Sequence, residues 1–289
     1  MKKFFLAVTA VITFAGVMTI VACSKEETKI DNNTKNAASS FEYVGQMHND
    51  ILWNLGMAFQ DDLNNIVAEK GISESDAMEL QLRMEEWGRQ YCIEKYGGEY
   101  ISYLQDWHID VEQSVNDVMV DSMLNDLLDR ATSFDELFVL IENEEEAIAS
   151  DLNSLSDTTK LMSLIILKHS LEFWSDAYLN EQNPWHKITF NYPYAPSTQT
   201  KGLPDLWDKF KSWVTDKAVP FIKDNIAELV TAAIDLVGMD YVGWQVSVGQ
   251  SISFGTAFGC PACGVGMAVT LSAVSSAVGG IWGWTHPLF

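Results

Sequence analysis

The chain has 289 residues and a formal net charge of −22 at pH 7, from 40 acidic and 18 basic side chains. This acidic excess excludes nucleic acid as a partner, because attraction to phosphate groups requires lysine and arginine. Residues 1–22 hold two lysines and no acid, and residues 184–289 hold six lysines and seven acids, a net charge of −1. Residues 23–183 therefore carry about −23, which predicts two regions of different character.

The amino-terminal residues 1–22 have the features of a signal peptide. Lys2 and Lys3 precede an apolar stretch that is too short for a stable membrane span. Residues 20–23, Ile-Val-Ala-Cys, resemble the lipobox of bacterial lipoproteins. The resemblance implies that cleavage leaves Cys23 as the lipid-bearing first residue of the mature chain. The alternative is an ordinary signal peptide followed by a chance cysteine.

Residues 23–40 are predicted to form a flexible acidic tether, because they offer almost nothing to bury. The run Ser-Lys-Glu-Glu at residues 24–27 resembles the export signal that directs lipoproteins of Bacteroidota to the outer face of the outer membrane. A simple charged tether is the alternative. The predicted location is therefore the outer membrane, with the protein exposed on the cell surface or carried on outer-membrane vesicles.

Residues 41–183 are predicted to form an acidic helical domain, because apolar residues recur at three- and four-residue steps. Gly71 is expected to end the first helix, Ser73 to cap the second, and Ser156 or Asp157 to cap the last. The acidic run at residues 142–146 is predicted to be a solvated helix face rather than a metal site. The five predicted helices lie at about residues 52–71, 73–97, 111–131, 134–150 and 156–178.

The part of the chain after the acidic domain is predicted to begin with an irregular linker at residues 184–203, which contains three prolines. Residues 204–240 are predicted to form two amphipathic helices, the first opened by Pro204 and the second opened or kinked by Pro220. Together with a hydrophobic helical hairpin at the carboxyl terminus, these segments complete an all-α fold.

The predicted hairpin occupies residues 241–289, which contain nine glycines and no Asp, Glu, Lys or Arg. A glycine-rich break at residues 259–264 separates two arms, Tyr241–Gly259 and Gly266–Trp284. Each arm would be about 29 Å long as a helix, close to the roughly 30 Å of a bilayer's hydrocarbon core. The alternative is that the arms are buried central helices of a large bundle.

Small residues recur in this tail at four-residue steps, a spacing that lets helices approach closely in lipid, and two tryptophans lie where interfacial anchors are expected. The first arm contains Gln and Ser residues, which are unusual in a permanent membrane anchor. The sequence therefore favours a segment that is stored in a soluble fold and inserted later. The residues predicted to take part in insertion are Gly255, Gly259, Gly266, Ser272, Ser276, Gly280, Trp282 and Trp284.

The remaining cysteines predict a structural feature rather than chemistry. Cys260 and Cys263 are close enough in sequence to form a small disulfide loop, whereas Cys92 is left without a predicted partner. The Cys-x-x-Cys pair lies outside the βαβ setting typical of a redox centre. Catalytic motifs, nucleotide-binding motifs and metal-ligand spacings are lacking in the sequence. No catalytic, metal or cofactor site is therefore predicted.

The glycine-rich tail resembles the hydrophobic regions of membrane-active bacteriocins and the hydrophobic hairpin of pore-forming colicins. Residues 41–49, Phe-Glu-Tyr-Val-Gly-Gln-Met-His-Asn, resemble the opening of Bacteroidota lipoproteins. The overall plan resembles the antibacterial lipoprotein toxins of gut Bacteroidales, some of which are activated by clostripain-like proteases that cut after Arg. The resemblance implies activation by cleavage. Of the three arginines, Arg130 is the candidate, because it alone lies at a predicted helix junction.

These features predict a surface lipoprotein toxin that permeabilises the membranes of related bacteria after proteolytic activation. The expected partners are membrane lipid, an activating protease of the target or producer, a surface receptor and an immunity protein. Two alternatives remain. One is a non-enzymatic surface lipoprotein that binds a protein, glycan or lipid, and the other is an enzyme without a familiar motif.

Overall fold

The computed structural model describes residues 39–97, 107–109, 123, 126–127, 130–131, 134–191 and 261–285. Within these residues the chain forms seven α-helices and no β-strand, so the predicted all-α class is confirmed. The predicted signal peptide, residues 23–38 of the predicted tether, the amphipathic helices and the first arm of the hairpin lie outside the described residues. The helices are α1 (Glu42–Ala58), α2 (Gln60–Glu69), α3 (Glu74–Tyr96), α4 (Phe134–Ser150), α5 (Leu155–Leu179), α6 (His186–Phe190) and α7 (Pro261–Trp282).

The first predicted helix is divided into α1 and α2. The chain leaves helical geometry at Phe59, whose amide donates to the Leu55 carbonyl at 3.1 Å, and α2 then runs to Glu69. The left-handed residue at the end of α2 is Lys70, with φ 58°, and it directly precedes the glycine that we expected to end the helix. The position of this helix end was therefore predictable, but the division at Phe59 was not.

The start of α3 confirms its predicted cap. The Ser73 hydroxyl accepts a hydrogen bond from the Asp76 amide at 3.2 Å, and the helix ends at Gly97, where φ is 118°. The predicted cap of α5 was wrong by two residues. Ser154 takes that role and accepts from the Asp157 amide at 3.1 Å. Asp157 therefore lies in the first turn, where its negative charge is favourable.

Residues 184–191 belong to the folded body, so the predicted linker does not begin at residue 184. Trp185 is fully buried, and its indole Nε1 donates to the Leu52 carbonyl of α1 at 2.8 Å. A side chain at Gly56 would collide with this indole. Helix α6 follows Trp185 and packs on α2 and α5. The two predicted linker prolines beyond residue 191 lie outside the described residues.

The core of the bundle is organised around α7. This helix packs against α1 and α3, α1 packs on its other side against α5, and α5 packs against α4. The predicted separation of an acidic domain from an apolar tail therefore does not hold for residues 261–285. Amphipathic helices need an apolar partner for their buried stripes, and a helix that is apolar on every face suits the central position.

Candidate functional site

Helix α7 is longer at its start than the predicted second arm. It begins at Pro261 rather than Gly266, because proline is well suited to the first turn of a helix. Cys263 therefore lies within the helix instead of in a loop. It is disulfide-bonded, and its partner lies outside the described residues. The pairing with Cys260 stays a prediction, as do the roles of Cys23, Gly255 and Gly259, which are also outside them.

Helix α7 is buried on every face. Within the part of the chain that the structure describes, residues 262–282 form the one helix that is long and apolar enough to cross a membrane, judged by length and composition only. Its 22 residues are about 33 Å long, against roughly 30 Å of hydrocarbon in a bilayer. In this fold it is a central core helix, which is the alternative that the sequence left open. The side chains buried to within 1% of full burial include Val265, Met267, Val269, Leu271, Val274, Val278 and Ile281.

The small residues of α7 permit close approach of its neighbours inside the bundle. Gly266 faces the ring of Tyr96, and a Cβ atom added at Gly88 of α3 would lie 2.8 Å from Val274 Cγ2. The predicted series Ser272, Ser276 and Gly280 is buried as well. The four-residue spacing thus serves helix packing in this fold, and its use in lipid stays a prediction.

Two hydroxyl groups of α7 donate hydrogen bonds to carbonyl groups of the helix itself. Thr270 Oγ1 donates to the Gly266 carbonyl and Ser275 Oγ to the Leu271 carbonyl, both at 2.9 Å. Bonds of this i−4 type keep hydroxyls satisfied without help from other helices. These groups would therefore keep their partners in a lipid environment, where an unsatisfied polar group is costly.

The free thiol of Cys92 marks the contact between α3 and α7. It is fully buried, packs with Met267 and Leu271, and lies beside the Thr270 hydroxyl. Burial raises its pKa to about 12, so the thiol is protonated and unreactive in this position. Any separation of α3 from α7 would expose it to solvent.

The two tryptophans predicted as interfacial anchors lie against the bundle. Trp284 is 5% exposed, and Trp282, at the last residue of α7, is partly buried. The indole Nε1 of Trp282 donates to the side-chain oxygen of Gln81 in α3 at 2.6 Å. In this fold the carboxyl-terminal end of α7 is therefore held by a specific hydrogen bond. The role of the two tryptophans as anchors at a membrane interface stays a prediction.

Gln81 belongs to a row of polar residues that sequence analysis missed. Gln81, Glu85 and Arg89 are spaced four apart along α3, and the first two are each 1% exposed. Their side chains bind the backbone of residues 107–109. Gln81 Nε2 donates to the Ile109 carbonyl at 2.8 Å, the Ile109 amide donates to Glu85 Oε1 at 3.0 Å, and Arg89 Nη1 donates to the Trp107 carbonyl at 3.0 Å. The four-residue spacing of these three polar residues, which places them on one face of a helix, is the sequence signal that could have revealed the row.

A second buried polar cluster joins α1, α4 and α5. Lys168 Nζ donates to Glu42 Oε1 at 2.7 Å and to Glu145 Oε2 at 2.9 Å, and His169 Nε2 lies 2.6 Å from Glu42 Oε2. Glu145 is only 4% exposed, so the predicted solvated face at residues 142–146 is wrong at this position. It is buried because Lys168, from the facing helix, supplies a compensating charge.

The pKa values of the two carboxyl groups in this cluster, Glu42 and Glu145, shift in opposite directions. Burial raises the pKa of Glu145, and the ammonium of Lys168 only partly offsets it. Burial also opposes ionisation of Glu42, but hydrogen bonds from Lys168 and His169 outweigh it and hold its pKa below the usual range. Glu42 is therefore the carboxylate on which the cluster depends.

Arg130 is exposed, but the peptide bond after it is protected. Its side chain is 42% exposed and forms ion pairs with Asp126 at 2.7 Å and Glu144 at 3.1 Å. Ala131 is fully buried, and its amide donates to the Leu127 carbonyl at 3.0 Å. Cleavage after Arg130 therefore requires local opening. The other two arginines lie in the interior of α3, so Arg130 remains the candidate processing site.

Among the described residues, no group of three or more His, Cys, Asp or Glu side chains is placed to hold a metal ion. No protein-family model, curated protein or solved structure matches the chain. Among the described residues, the features that bear on function are the apolar character of α7 and the contacts that hold it in the bundle.

Proposed function

We propose that this chain is a surface lipoprotein toxin that permeabilises the membranes of related bacteria by inserting α7 together with the apolar residues 241–259. The observation that carries the proposal is the central position of an uncharged helix of membrane-spanning length in an acidic bundle. The surrounding helices supply the charges that keep this helix in water. Such a bundle can store a membrane-active segment until it reaches its target.

Transfer of α7 from the bundle to a bilayer moves apolar surface from one water-free environment to another. The helix contains no Asp, Glu, Lys, Arg or His, each of which would add a cost of about 2–3 kcal/mol or more at the centre of a membrane. The described hydroxyls of Thr270 and Ser275 bond to carbonyls of the helix itself. The main obstacle to insertion is therefore exit from the bundle rather than entry into lipid.

Cleavage after Arg130 would lower this obstacle. The bond lies in the connection between α3 and α4, and Leu127 and Ala131 of this connection are part of the core. A cut chain can separate there without unfolding both helices. The net charge of the bundle also opposes approach to anionic membranes, so loss of an acidic segment would favour contact with lipid.

The proposal is tested with dye-loaded liposomes of phosphatidylethanolamine and phosphatidylglycerol. The mature chain is added alone or after an Arg-specific protease, as wild type, Arg130→Gln or the matched control Arg83→Gln. Arg83 is 50% exposed, like Arg130 it forms an ion pair, and it lies within α3. We expect dye release after cleavage of the wild type and of the control, and little release from Arg130→Gln. Release from neither intact nor cleaved protein would overturn the proposal.

The second candidate function is a non-enzymatic surface lipoprotein that binds a protein, glycan or lipid. The burial of almost all of α7 favours it, because a core helix of a binding module would look the same. In that case α7 serves only stability. The liposome assay separates the two, because a binding module would release no dye in either form.

A further inference from the structure

A stored helix must be held until it is needed, and the end of α7 is held by a contact that apolar packing does not require. The Trp282 indole donates to Gln81 Oε1 at 2.6 Å, although Trp282 and Gln81 are 201 residues apart in the chain. We propose that Gln81 and Glu85, together with the strap of residues 107–109, form a latch that holds the carboxyl-terminal end of α7. This inference rests on the proposed toxin function and names its regulation.

The geometry of Gln81 joins the strap to the helix. Its amide nitrogen donates to the Ile109 carbonyl and to Glu85 Oε1, both at 2.8 Å, while its oxygen accepts from Trp282. The buried side-chain amide of Gln81 therefore forms hydrogen bonds with the strap, with Glu85 of its own helix and with the end of α7. Removal of the strap takes away one of these partners and leaves a buried donor with an empty position, which is unfavourable.

Glu85 makes the strap specific. Its Oε1 accepts from the Ile109 amide at 3.0 Å, and the His108 Nδ1 lies 2.9 Å from the same oxygen. Arg89 adds a bond to the Trp107 carbonyl, so three successive strap residues are bound by one face of α3. The buried carboxyl group of Glu85 depends on these donors, because a buried acceptor that loses its hydrogen-bond partners is unfavourable.

The strap and the candidate processing site share one connection. Residues 107–109 and Arg130 both lie between Tyr96, the last residue of α3, and Phe134, the first residue of α4. In the intact chain the strap is tethered on both sides. Cleavage after Arg130 leaves it tethered through α3 alone, which increases the entropy gained when it detaches. Cleavage after Arg130 therefore weakens the strap, and through the strap it weakens the contact of Gln81 with the end of α7.

The free thiol of Cys92 provides a direct readout of the latch without any membrane. Separation of α7 from α3 exposes this thiol, so its rate of alkylation by N-ethylmaleimide reports opening, and mass spectrometry of the labelled peptide identifies the site. The variants are Gln81→Met, Trp282→Phe and the matched control Gln90→Met. Gln90 lies on the same helix but is exposed, and its side chain bonds Glu86 of that helix.

We expect alkylation of Cys92 to be about tenfold faster in Gln81→Met and Trp282→Phe, the change expected from loss of one buried hydrogen bond. Gln90→Met should react at the wild-type rate. Trp282→Phe keeps an aromatic ring and tests the hydrogen bond even if Gln81→Met fails to fold. Unchanged alkylation in Trp282→Phe would overturn the latch.

General loss of stability is distinguished by Leu164→Ala, which creates a cavity in α5. If this variant accelerates Cys92 alkylation as much as Trp282→Phe does at equal loss of stability, the latch is overturned. Faster alkylation in the latch variants without dye release from liposomes would support the latch and count against the toxin function. Dye release without any change in alkylation would support the toxin function and overturn the latch.

Discussion

Helices α5 and α7 both pack against α1, but they are held there by different forces. Helix α5 brings Lys168 and His169 into contact with Glu42 and Glu145. Helix α7 brings no charge at all, and its polar contacts with α3 include the Trp282 hydrogen bond and the Thr270 hydroxyl beside Cys92. One helix is fixed by charges that cannot enter lipid, and the other is held by packing that lipid can replace.

The contrast shows how one bundle can combine a helix fixed by charge pairs with a helix held mainly by apolar packing. Charge pairs make α5 specific to its place, because separating them leaves buried charges unpaired. Apolar packing makes α7 stable in the bundle but sets no large penalty for transfer to another apolar environment.

The largest effect is expected from Lys168→Met. The variant removes the ammonium that compensates Glu42 and Glu145, and breaking a buried pair in this way costs about 3–5 kcal/mol. Because burial already raises the pKa of Glu145, this carboxyl group can take up a proton, and we expect a loss near the lower limit. Urea unfolding followed by circular dichroism at pH 7 measures the change in the free energy of unfolding.

The double variant Lys168→Met/Glu145→Leu is the control for that prediction. It removes the buried carboxyl group together with its partner and should recover part of the lost stability. A double variant no more stable than Lys168→Met would show that the pair does not define the position of α5.

A smaller effect is expected from Gly88→Ala. The added methyl group would meet Val274 of α7 at 2.8 Å, and overpacking of this kind costs about 1–3 kcal/mol. The second substitution in Gly88→Ala/Val274→Ala makes room and should restore stability. Gly56→Ala, which collides with Trp185 instead, is the matched control. We expect faster alkylation of Cys92 in Gly88→Ala but not in Gly56→Ala. Equal acceleration in both variants would contradict a specific role of the contact between Gly88 and Val274.

The smallest effect, and one that depends on pH, is expected from Glu42→Gln. The folded pKa of Glu42 is lowered, so its contribution to stability is present above its ordinary value of 4.5 and is lost as the pH falls through the folded pKa. Glu145 acts in the opposite sense, because its raised pKa favours the protonated form. Urea midpoints measured from pH 7 down to pH 3 should fall less in Glu42→Gln than in the wild type. Parallel curves would show that ionisation of Glu42 does not contribute to the pH dependence of stability.

Local signals were enough to predict much of the frame from sequence. Helix α4 has the predicted bounds, and α3 begins at the predicted Ser73 cap and ends at the predicted glycine. Ser154 was missed in favour of residues 156 and 157, because several neighbouring Ser and Asp residues fit the same pattern. Caps and apolar periods are encoded within a few residues, which makes them readable without knowledge of the fold.

Contacts between distant parts of the chain could not be predicted in the same way. Trp185 follows a proline and resembles a linker residue, but it is buried because it reaches Leu52, 133 residues away. The apolar tail was expected to differ in its surroundings from the acidic region, whereas α7 is the centre of that region. A pattern of apolar residues shows that a helix must be covered, but does not show whether protein or lipid covers it.

On the proposed function, α7 must leave the bundle before the protein can act on membranes. Thr270→Cys places a second thiol beside Cys92, so oxidation should join α7 to α3 by a disulfide. Wild type and Cys92→Ser/Thr270→Cys, each with and without dithiothreitol, control for reduction of the disulfide at Cys263. With protease-treated protein and dye-loaded liposomes, we expect no release from the oxidised variant and release close to that of the wild type after reduction. Equal release from the oxidised and reduced variant would contradict the claim.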